Sequence, residues 1–376
     1  MKLADFKQRV ESLGLSDEKI RGSAFIHRLL PVHAYWSPIA FTVSITTHCN
    51  LKCPMCIRTI NNIKPMHMDV GLFVHAIKYF KGKTVNIVGS GEPLMHPDFF
   101  DFMNVCLAND VGVHLVTNGM LLDGRKAEQL ASYSNLQSVA FFIDSVQENY
   151  KDIRVGGDFE TVYKNLVGLD IARIKNNSKF SIVVNTVGMR SNIEGFPKLV
   201  DWLGITVDSI QLIHPLAYTP EMAQEHLDRD PLGAKSIFKE SIEIAKSRNV
   251  KLKLPSLIPR ARGCIYPWVL PVVGVKGDVY PCHMYGGGDQ CSPIREYYGK
   301  ASMVCDASKM VMGNIVDFDK IWNGEVIRKL RGWLSSVNVF DLKHGYCGNS
   351  EYEEQINLRG SYFYCAVCPS RWDCAC

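Results

Sequence analysis

The sequence has no stretch that would carry it across or into a membrane. No apolar run reaches the roughly 20 residues that a transmembrane helix requires. The opening Met1-Lys2-Leu3-Ala4-Asp5-Phe6-Lys7 lacks the apolar core of a secretory signal, so a cytoplasmic location is expected. Net charge is also scarce. Lys and Arg number 42 against 38 Asp and Glu, a balance of +4 that gives no argument for a nucleic-acid partner. No internal repeat or low-complexity segment interrupts the 376 residues, which argues against a solenoid or a propeller. A mixed chain of this length holds one large domain with an appendage, or two to three domains.

Cysteine is abundant. Of thirteen, three lie at 49–56, one at 106 and nine from 264 onward. Without a secretory signal, such usage points to metal or redox chemistry before disulfides. The first group, Cys49-Asn50-Leu51-Lys52-Cys53-Pro54-Met55-Cys56, follows the apolar run Phe41–Ile45. A [4Fe–4S] cluster normally takes four thiolates. Three closely spaced thiols hold three irons and leave the fourth open to a small ligand. The alternatives are three reduced surface thiols or a zinc knuckle. Zinc favours paired C-x₂₋₄-C units and a fourth ligand, and His48, adjoining Cys49, would have to bend back to serve.

Short β-rich runs then alternate with helical stretches. Strands are predicted at 41–46, 84–88, 112–117, 138–143, 180–186 and 208–213, with helices at 72–80, 99–108, 125–133, 161–174 and 195–202 between them. Asp69 and Asp98 stand where the first two helices need N-caps. Six such units predict an α/β fold with a parallel sheet and right-handed crossovers, whose ligands gather at the carboxyl ends of the strands. Leu3, Phe6, Val10 and Leu13 predict a helical segment within 1–35 that packs over the barrel end. A helix at 234–248 is followed by Pro255, Pro259 and the basic Arg260-Ala261-Arg262, which mark a linker. The expected division is 1–35, 36–255 and 256–376.

Four motifs, each just past a predicted strand, carry a resemblance. They are Thr46-Thr47-His48-Cys49 through Cys56, Gly89-Ser90-Gly91-Glu92-Pro93-Leu94, Thr117-Asn118-Gly119, and Ile143-Asp144-Ser145 through Tyr150, Ile153-Arg154 and Gly156-Gly157-Asp158-Phe159. In this order they resemble the radical S-adenosylmethionine (SAM) superfamily, with Ser90 where a glycine is common. The resemblance implies a partial (β/α)₆ TIM-like barrel. It also implies a [4Fe–4S] cluster on Cys49, Cys53 and Cys56 that binds SAM at its open iron. A reducing partner such as flavodoxin or ferredoxin would supply an electron, and SAM would be cleaved to a 5′-deoxyadenosyl radical that takes a substrate hydrogen.

By the same resemblance, Ser90, Gly91 and Glu92 meet the methionyl ammonium, Arg154 the methionyl carboxylate, Met55 the adenine and Asp144 the ribose. Many members place a serine two residues before this aspartate. Here Phe142 stands there, and Ser145 is expected to compensate. The residue types suit these roles: Gly89 and Gly91 permit close backbone approach to a ligand, and the planar fork of Arg154 matches a carboxylate. A surface salt bridge for Arg154 and a core position for Met55 are the alternatives. Thr117 and Asn118 are expected to face substrate, with Asn185, His214 and Tyr218 beyond strands five and six. For each the alternative is a structural polar group.

The C-terminal cysteines extend the resemblance. Cys264, Gly277 and Cys282 form C-x₁₂-G-x₄-C, which resembles the opening of a SPASM/twitch extension. Gly277-Asp278 reads as a hairpin turn between 272–275 and 279–280. Gly313-Asn314-Ile315, Ile321-Trp322-Asn323 and Leu330-Arg331 are similar to a run common in such extensions, and on their own residues read as a turn followed by an amphipathic helix with Trp322 in the core. Cys365, Cys368, Cys374 and Cys376 resemble its closing part, although C-x-C replaces the usual C-x₃-C. Auxiliary [4Fe–4S] clusters are implied, drawing on Cys264, Cys282, Cys347, Cys365, Cys368, Cys374 and Cys376. Two clusters would need an eighth ligand, such as Cys291 or Cys305. With one cluster, the remaining thiols are structural. Such clusters either accept the electron of a substrate radical or conduct electrons to the SAM cluster.

The first 35 residues are too short for a peptide-binding domain. The expectation is therefore an oxidoreductase that oxidises or epimerises a polar small molecule, such as a sugar or aminocyclitol. The alternative is a peptide or protein maturase, acting by thioether formation, epimerisation or sulfatase activation. A non-catalytic iron–sulfur carrier is a third reading, against which the open cysteine site and Gly89–Pro93 argue. Epimerisation needs a hydrogen donor, for which Cys106, Cys291 and Cys305 remain by elimination. Cys106, among Phe102, Met103, Val105 and Leu107, reads as a buried inert thiol.

Overall fold

The structure, a computed structural model, describes residues 30–257, 265–283, 293–298 and 301–336. Seven strands lie side by side in chain order: β1 (Ala40–Val43), β2 (Thr84–Ile87), β3 (Gly112–Thr117), β4 (Leu136–Phe142), β5 (Ser181–Val187), β6 (Ser209–Ile213) and β7 (Lys251–Lys253). Every neighbouring pair is parallel. Between them run the helices Val70–Phe80, Phe99–Ala108, Gly124–Ala131, Phe159–Lys175, Phe196–Leu203 and Pro231–Arg248. This is a partial TIM-like barrel of α/β class. No helix among the described residues is long and apolar enough to cross a membrane.

The strands' period of two assigns the faces. Val85 and Ile87, Val113 and Leu115, Val139 and Phe141, and Ile182 and Val184 are fully buried in the main core. The alternate residues point to the other face, where Val116, Phe142 and Val187 reach a cavity at the strand ends. Helix starts are fixed by aspartates: Asp69 accepts from Leu72 N, Asp123 from Lys126 N and Asp158 from Thr161 N, each at 2.9 Å. Asp98 departs from expectation. Its backbone (φ −98°, ψ 28°) is not extended as a capping residue requires, and its side chain caps nothing. Its own N–H donates to His96 Nδ1 at 3.1 Å. β7 is a strand that periodicity does not reveal, because Lys251 and Lys253 are exposed and Leu252 is its lone apolar residue.

The C-terminal extension continues the barrel sheet beyond β1. β8 (Val272–Val273) pairs parallel with β1, β9 (Asp278–Tyr280) antiparallel with β8, and a two-residue strand, Gly313–Asn314, antiparallel with β9. The turn between β8 and β9 runs through Gly277 at φ +84°, conformational space that glycine enters freely. Trp322 is buried, as expected, ahead of the helix Glu325–Ser336. Its indole donates to Trp36 O at 2.8 Å and ties the extension to residues 30–36. The expected N-terminal helix, the basic linker residues 260–262, and Cys264, Cys291, Cys347, Cys365, Cys368, Cys374 and Cys376 lie outside the described residues.

Candidate active site at the strand ends

Beyond β1 the chain folds into a loop braced by its own backbone. Thr47 N donates to Met66 O at 2.9 Å, Met68 N to Ile45 O at 2.8 Å, and Thr47 Oγ1 to Lys64 O at 2.7 Å. Inside this brace lie Cys49, Cys53 and Cys56, and all three line one cavity of about 220 Å³. Leu51 N donates to Cys49 Sγ at 3.4 Å, and the Arg58 guanidinium donates to Leu51 O. Burial pushes the Cys49 thiol up to about 11 and raises Cys53 as well. Such thiols ionise when a bound metal supplies positive charge. Among the described residues no three ligand side chains converge on a single ion. Three thiols lining one cavity suit the separate irons of a cluster, so the residues fit a cubane.

The glycines of the second motif are required by the cysteine loop itself. A Cβ on Gly91 would sit well inside contact with the carbonyl oxygens of Thr46 and His48, and one on Gly89 would overlap the Ser44 hydroxyl. The close approach expected toward a ligand is therefore, first, an approach to the 44–48 backbone. Glu92 locks the two segments together, its N–H donating to His48 O at 2.6 Å. Its buried carboxylate accepts from Thr117 Oγ1 and Asn118 N, both at 2.7 Å, and from Leu94 N at 3.2 Å. Burial outweighs these donors and pushes Glu92 up to about 7. Ser90 is buried beside it and also lines the cavity.

Asp144, two residues past the end of β4, meets Arg154 across the opposite wall. Arg154 Nε lies 2.6 Å from Asp144 Oδ2, with the Asp144 side chain fully buried and that of Arg154 only 11% exposed, so the pair is internal and not a surface salt bridge. Burial disfavours the Arg154 cation, but Asp144 and Cys53 more than offset it and the guanidinium is held protonated. Arg154 Nη1 also approaches Cys53 Sγ at 3.8 Å, and the guanidinium lies 5.1 Å from the Phe142 ring centroid. Val187 N donates to Asp144 Oδ1 at 2.8 Å. Asn192, which no motif marks, donates to Asp144 O at 3.0 Å and to Val187 O at 2.9 Å. The signal that could have found it is an Asn five residues past the end of a strand carrying a cavity wall.

The remaining expected residues divide. Thr117 and Asn118 line the cavity, but their side chains are engaged with Glu92, Cys49 and Asn50. Ser145 is buried and does not line the cavity. Asn185 lies lower on β5, on the same face as Val187. Tyr218 packs on the main core. His214 is buried, donates through Nε2 to Ser256 O at 2.8 Å, and stacks on His226 at 5.3 Å. Met55 lies in both the cavity and a second one of about 440 Å³, whose walls include Ile153, Met189 and Met222. Cys106 is buried, with its thiol pushed up to about 12, in keeping with an inert position. Cys282 is buried at the start of the extension, while its expected partner Cys264 is not among the described residues.

With this geometry in hand, two family matches divide the chain. Residues 43–203 match the radical SAM superfamily and residues 264–369 match SPASM, an iron–sulfur cluster-binding domain. The mycofactocin maturase MftC of Mycobacterium ulcerans is 24% identical over 344 residues, 87% of this chain and 88% of that one. The tungsten-containing aldehyde ferredoxin oxidoreductase cofactor-modifying protein of Pyrococcus furiosus is 25% identical over 302 residues, 75% and 80% of the two chains. Among solved structures, Streptococcus suis SuiB bound to S-adenosylmethionine superposes with a TM-score of 0.60 at 14% identity, covering 97% of this chain and 83% of that one. SuiB bound to its precursor peptide SuiA gives 0.59 at 15%, with the same coverage. The chain belongs to the radical SAM superfamily, with a [4Fe–4S] cluster and SAM as its cofactors and a SPASM extension for auxiliary iron–sulfur clusters.

Proposed function

We propose that this radical SAM enzyme matures a peptide or protein. The observation that carries the reading is the mycofactocin maturase, which aligns over 87% of this chain and 88% of its own, so that barrel and extension are both included. The second relative is also named for modifying another protein's cofactor. This displaces the polar small molecule, sugar or aminocyclitol, as the main expectation. A short N-terminal segment is compatible with a peptide substrate if a separate binding protein recognises it. SuiB with its precursor peptide illustrates that the fold accommodates a peptide.

In this reading Cys49, Cys53 and Cys56 hold the cluster. Glu92, with Ser90 and Gly91 beside it, accepts from the methionyl ammonium of SAM. Arg154 turns part of its planar fork to the methionyl carboxylate while Asp144 retains the rest. Met55, shared by the two cavities, would be the residue that meets the adenine. Bound there, the cluster and SAM supply one-electron chemistry that removes a hydrogen atom from the substrate. Net oxidation of the substrate, with electrons leaving through the auxiliary clusters, would make the enzyme an oxidoreductase. A flavodoxin or ferredoxin serves as reductant.

The test is incubation of anaerobically reconstituted, reduced protein with SAM and a precursor peptide encoded beside its gene. A parallel panel of sugars and aminocyclitols forms the second arm. Mass spectrometry should show a mass change in the peptide together with 5′-deoxyadenosine. Turnover of a sugar or aminocyclitol, with the peptide unchanged, would restore the small-molecule reading.

A further inference from the structure

We propose that Thr117 and Asn118 are positioning residues that hold the SAM-facing carboxylate of Glu92 and the cluster ligand Cys49 in one frame. The two held groups come from different loops, Cys49 after β1 and Glu92 after β2. What joins them is the end of β3. Thr117 Oγ1 donates to Glu92 Oε1, Asn118 N donates to Glu92 Oε2, and Asn118 Nδ2 reaches Asn50 Oδ1 at 2.9 Å and Cys49 Sγ at 3.8 Å.

The orientation of each side chain is set by a second contact. Gly119 N donates to Thr117 Oγ1 at 3.0 Å. The hydroxyl oxygen is therefore an acceptor on that side, and its one proton is directed at Glu92. Met120 N donates to Asn118 Oδ1 at 3.0 Å. That contact fixes which end of the amide is oxygen, so the NH₂ end must face Asn50 and the thiol. The turn that allows both contacts passes through Gly119 at φ +79°, where an added Cβ would also press on the Phe141 ring. Three strand ends are thereby locked through one tight turn. Asn165, from the helix Phe159–Lys175, closes the turn from behind by donating to Gly119 O at 2.8 Å.

Two consequences separate positioning from mere support. An N–H directed at a cluster thiolate raises the cluster's reduction potential, because it stabilises added negative charge. A carboxylate held by Thr117 is preorganised for the methionyl ammonium, so losing that hydroxyl weakens SAM binding. This second consequence rests on the assignment of Glu92 to the ammonium made above.

The experiment uses the reconstituted full chain and needs no substrate. Iron and sulfide are counted, SAM affinity is measured, and the midpoint potential is taken from the EPR signal that changes on SAM addition. Asn118→Ala should keep its iron and shift this potential to more negative values. Thr117→Val should bind SAM about tenfold more weakly, the effect of one hydrogen bond to a charged group, and Thr117→Ser should restore the affinity. An iron-replete Asn118→Ala at the wild-type potential, or Thr117→Val with wild-type affinity, overturns the proposal. Should Asn118→Ala lose its cluster, Asn118→Ser decides. It retains a donor, so full iron at a near-wild-type potential supports positioning, and equal loss of iron makes the residue merely structural. Glu92→Gln separates the underlying assignment: unchanged SAM affinity there would sink the ammonium role itself, whereas weakening there without weakening in Thr117→Val would sink only the clamp.

Discussion

Arg154 Nε and Asp144 Oδ2 stand 2.6 Å apart in a buried wall of the cavity. Two residues that the sequence motifs assign to different parts of SAM thus form an ion pair with each other, while neither of these atoms makes a well-aligned hydrogen bond among the described residues. Removing one partner of a buried ion pair leaves the other charge uncompensated, at a cost of about 3–5 kcal/mol. Asp144→Ala should therefore lower the denaturant midpoint of the protein strongly. Arg154→Lys should not behave as a conservative change, because an ammonium cannot serve Asp144 and approach Cys53 in the same plane. Equal stabilities of Arg154→Lys and the wild type, in anaerobic urea titrations, would show that the fork geometry is unimportant.

Gly91→Ala places a methyl group against the carbonyl oxygens of Thr46 and His48, neither of which belongs to a flexible side chain. The cysteine loop has to move, so cluster incorporation should fall sharply while the helices remain. Gly168→Ala is the matched control. It lies inside the helix Phe159–Lys175 with nothing within 4 Å of the new Cβ, and it should stabilise by about 0.5–1 kcal/mol. Iron analysis and far-UV circular dichroism on the two variants check both expectations.

The barrel was legible because each of its first six strands carries fully buried apolar residues at a period of two, as Val113 and Leu115 do. Lys251–Lys253 escaped because a three-residue edge strand needs no such signal. The cysteine site was legible from spacing alone, since three ligands within eight residues must share a neighbourhood. The supporting contacts were not. Thr117 and Asn118 carry polar side chains compatible with facing a substrate, and whether they instead face Glu92 depends on how three loops meet. Asn192 and the Asp144–Arg154 pairing are likewise products of tertiary approach, invisible to periodicity.

Arg331 is completely buried between the extension and residues 30–36. It donates to Pro267 O at 3.0 Å and Asn323 Oδ1 at 2.9 Å, with its guanidinium 4.4 Å from the Trp322 ring centroid. Asn323 in turn holds Ala34 through both backbone groups. Arg331→Lys keeps the charge but loses the planar donors and the stacking. It should cost about 2 kcal/mol, the scale of a hydrogen bond to a charged group. The change should be visible in the fluorescence of Trp36, Trp268 and Trp322, and an unaltered emission spectrum with unaltered stability would show that packing alone joins these segments.

The two cysteine groups should behave as separable iron sites. Replacing Cys49, Cys53 and Cys56 with alanine should remove about four irons per chain and abolish 5′-deoxyadenosine formation. Burial already disfavours ionisation of Cys49 and Cys53, so partial ligand sets should not retain a stable cluster. Replacing Cys264 and Cys282 should lower iron and substrate turnover yet leave SAM cleavage in place, because Cys282 lies just past β9 of the extension and does not line the cavity at the barrel mouth. Iron counting with reductant-dependent SAM cleavage distinguishes the outcomes. Equal loss of iron and of SAM cleavage from both variants would mean that the two sites fold as one unit, coupled through the sheet that β8 shares with β1.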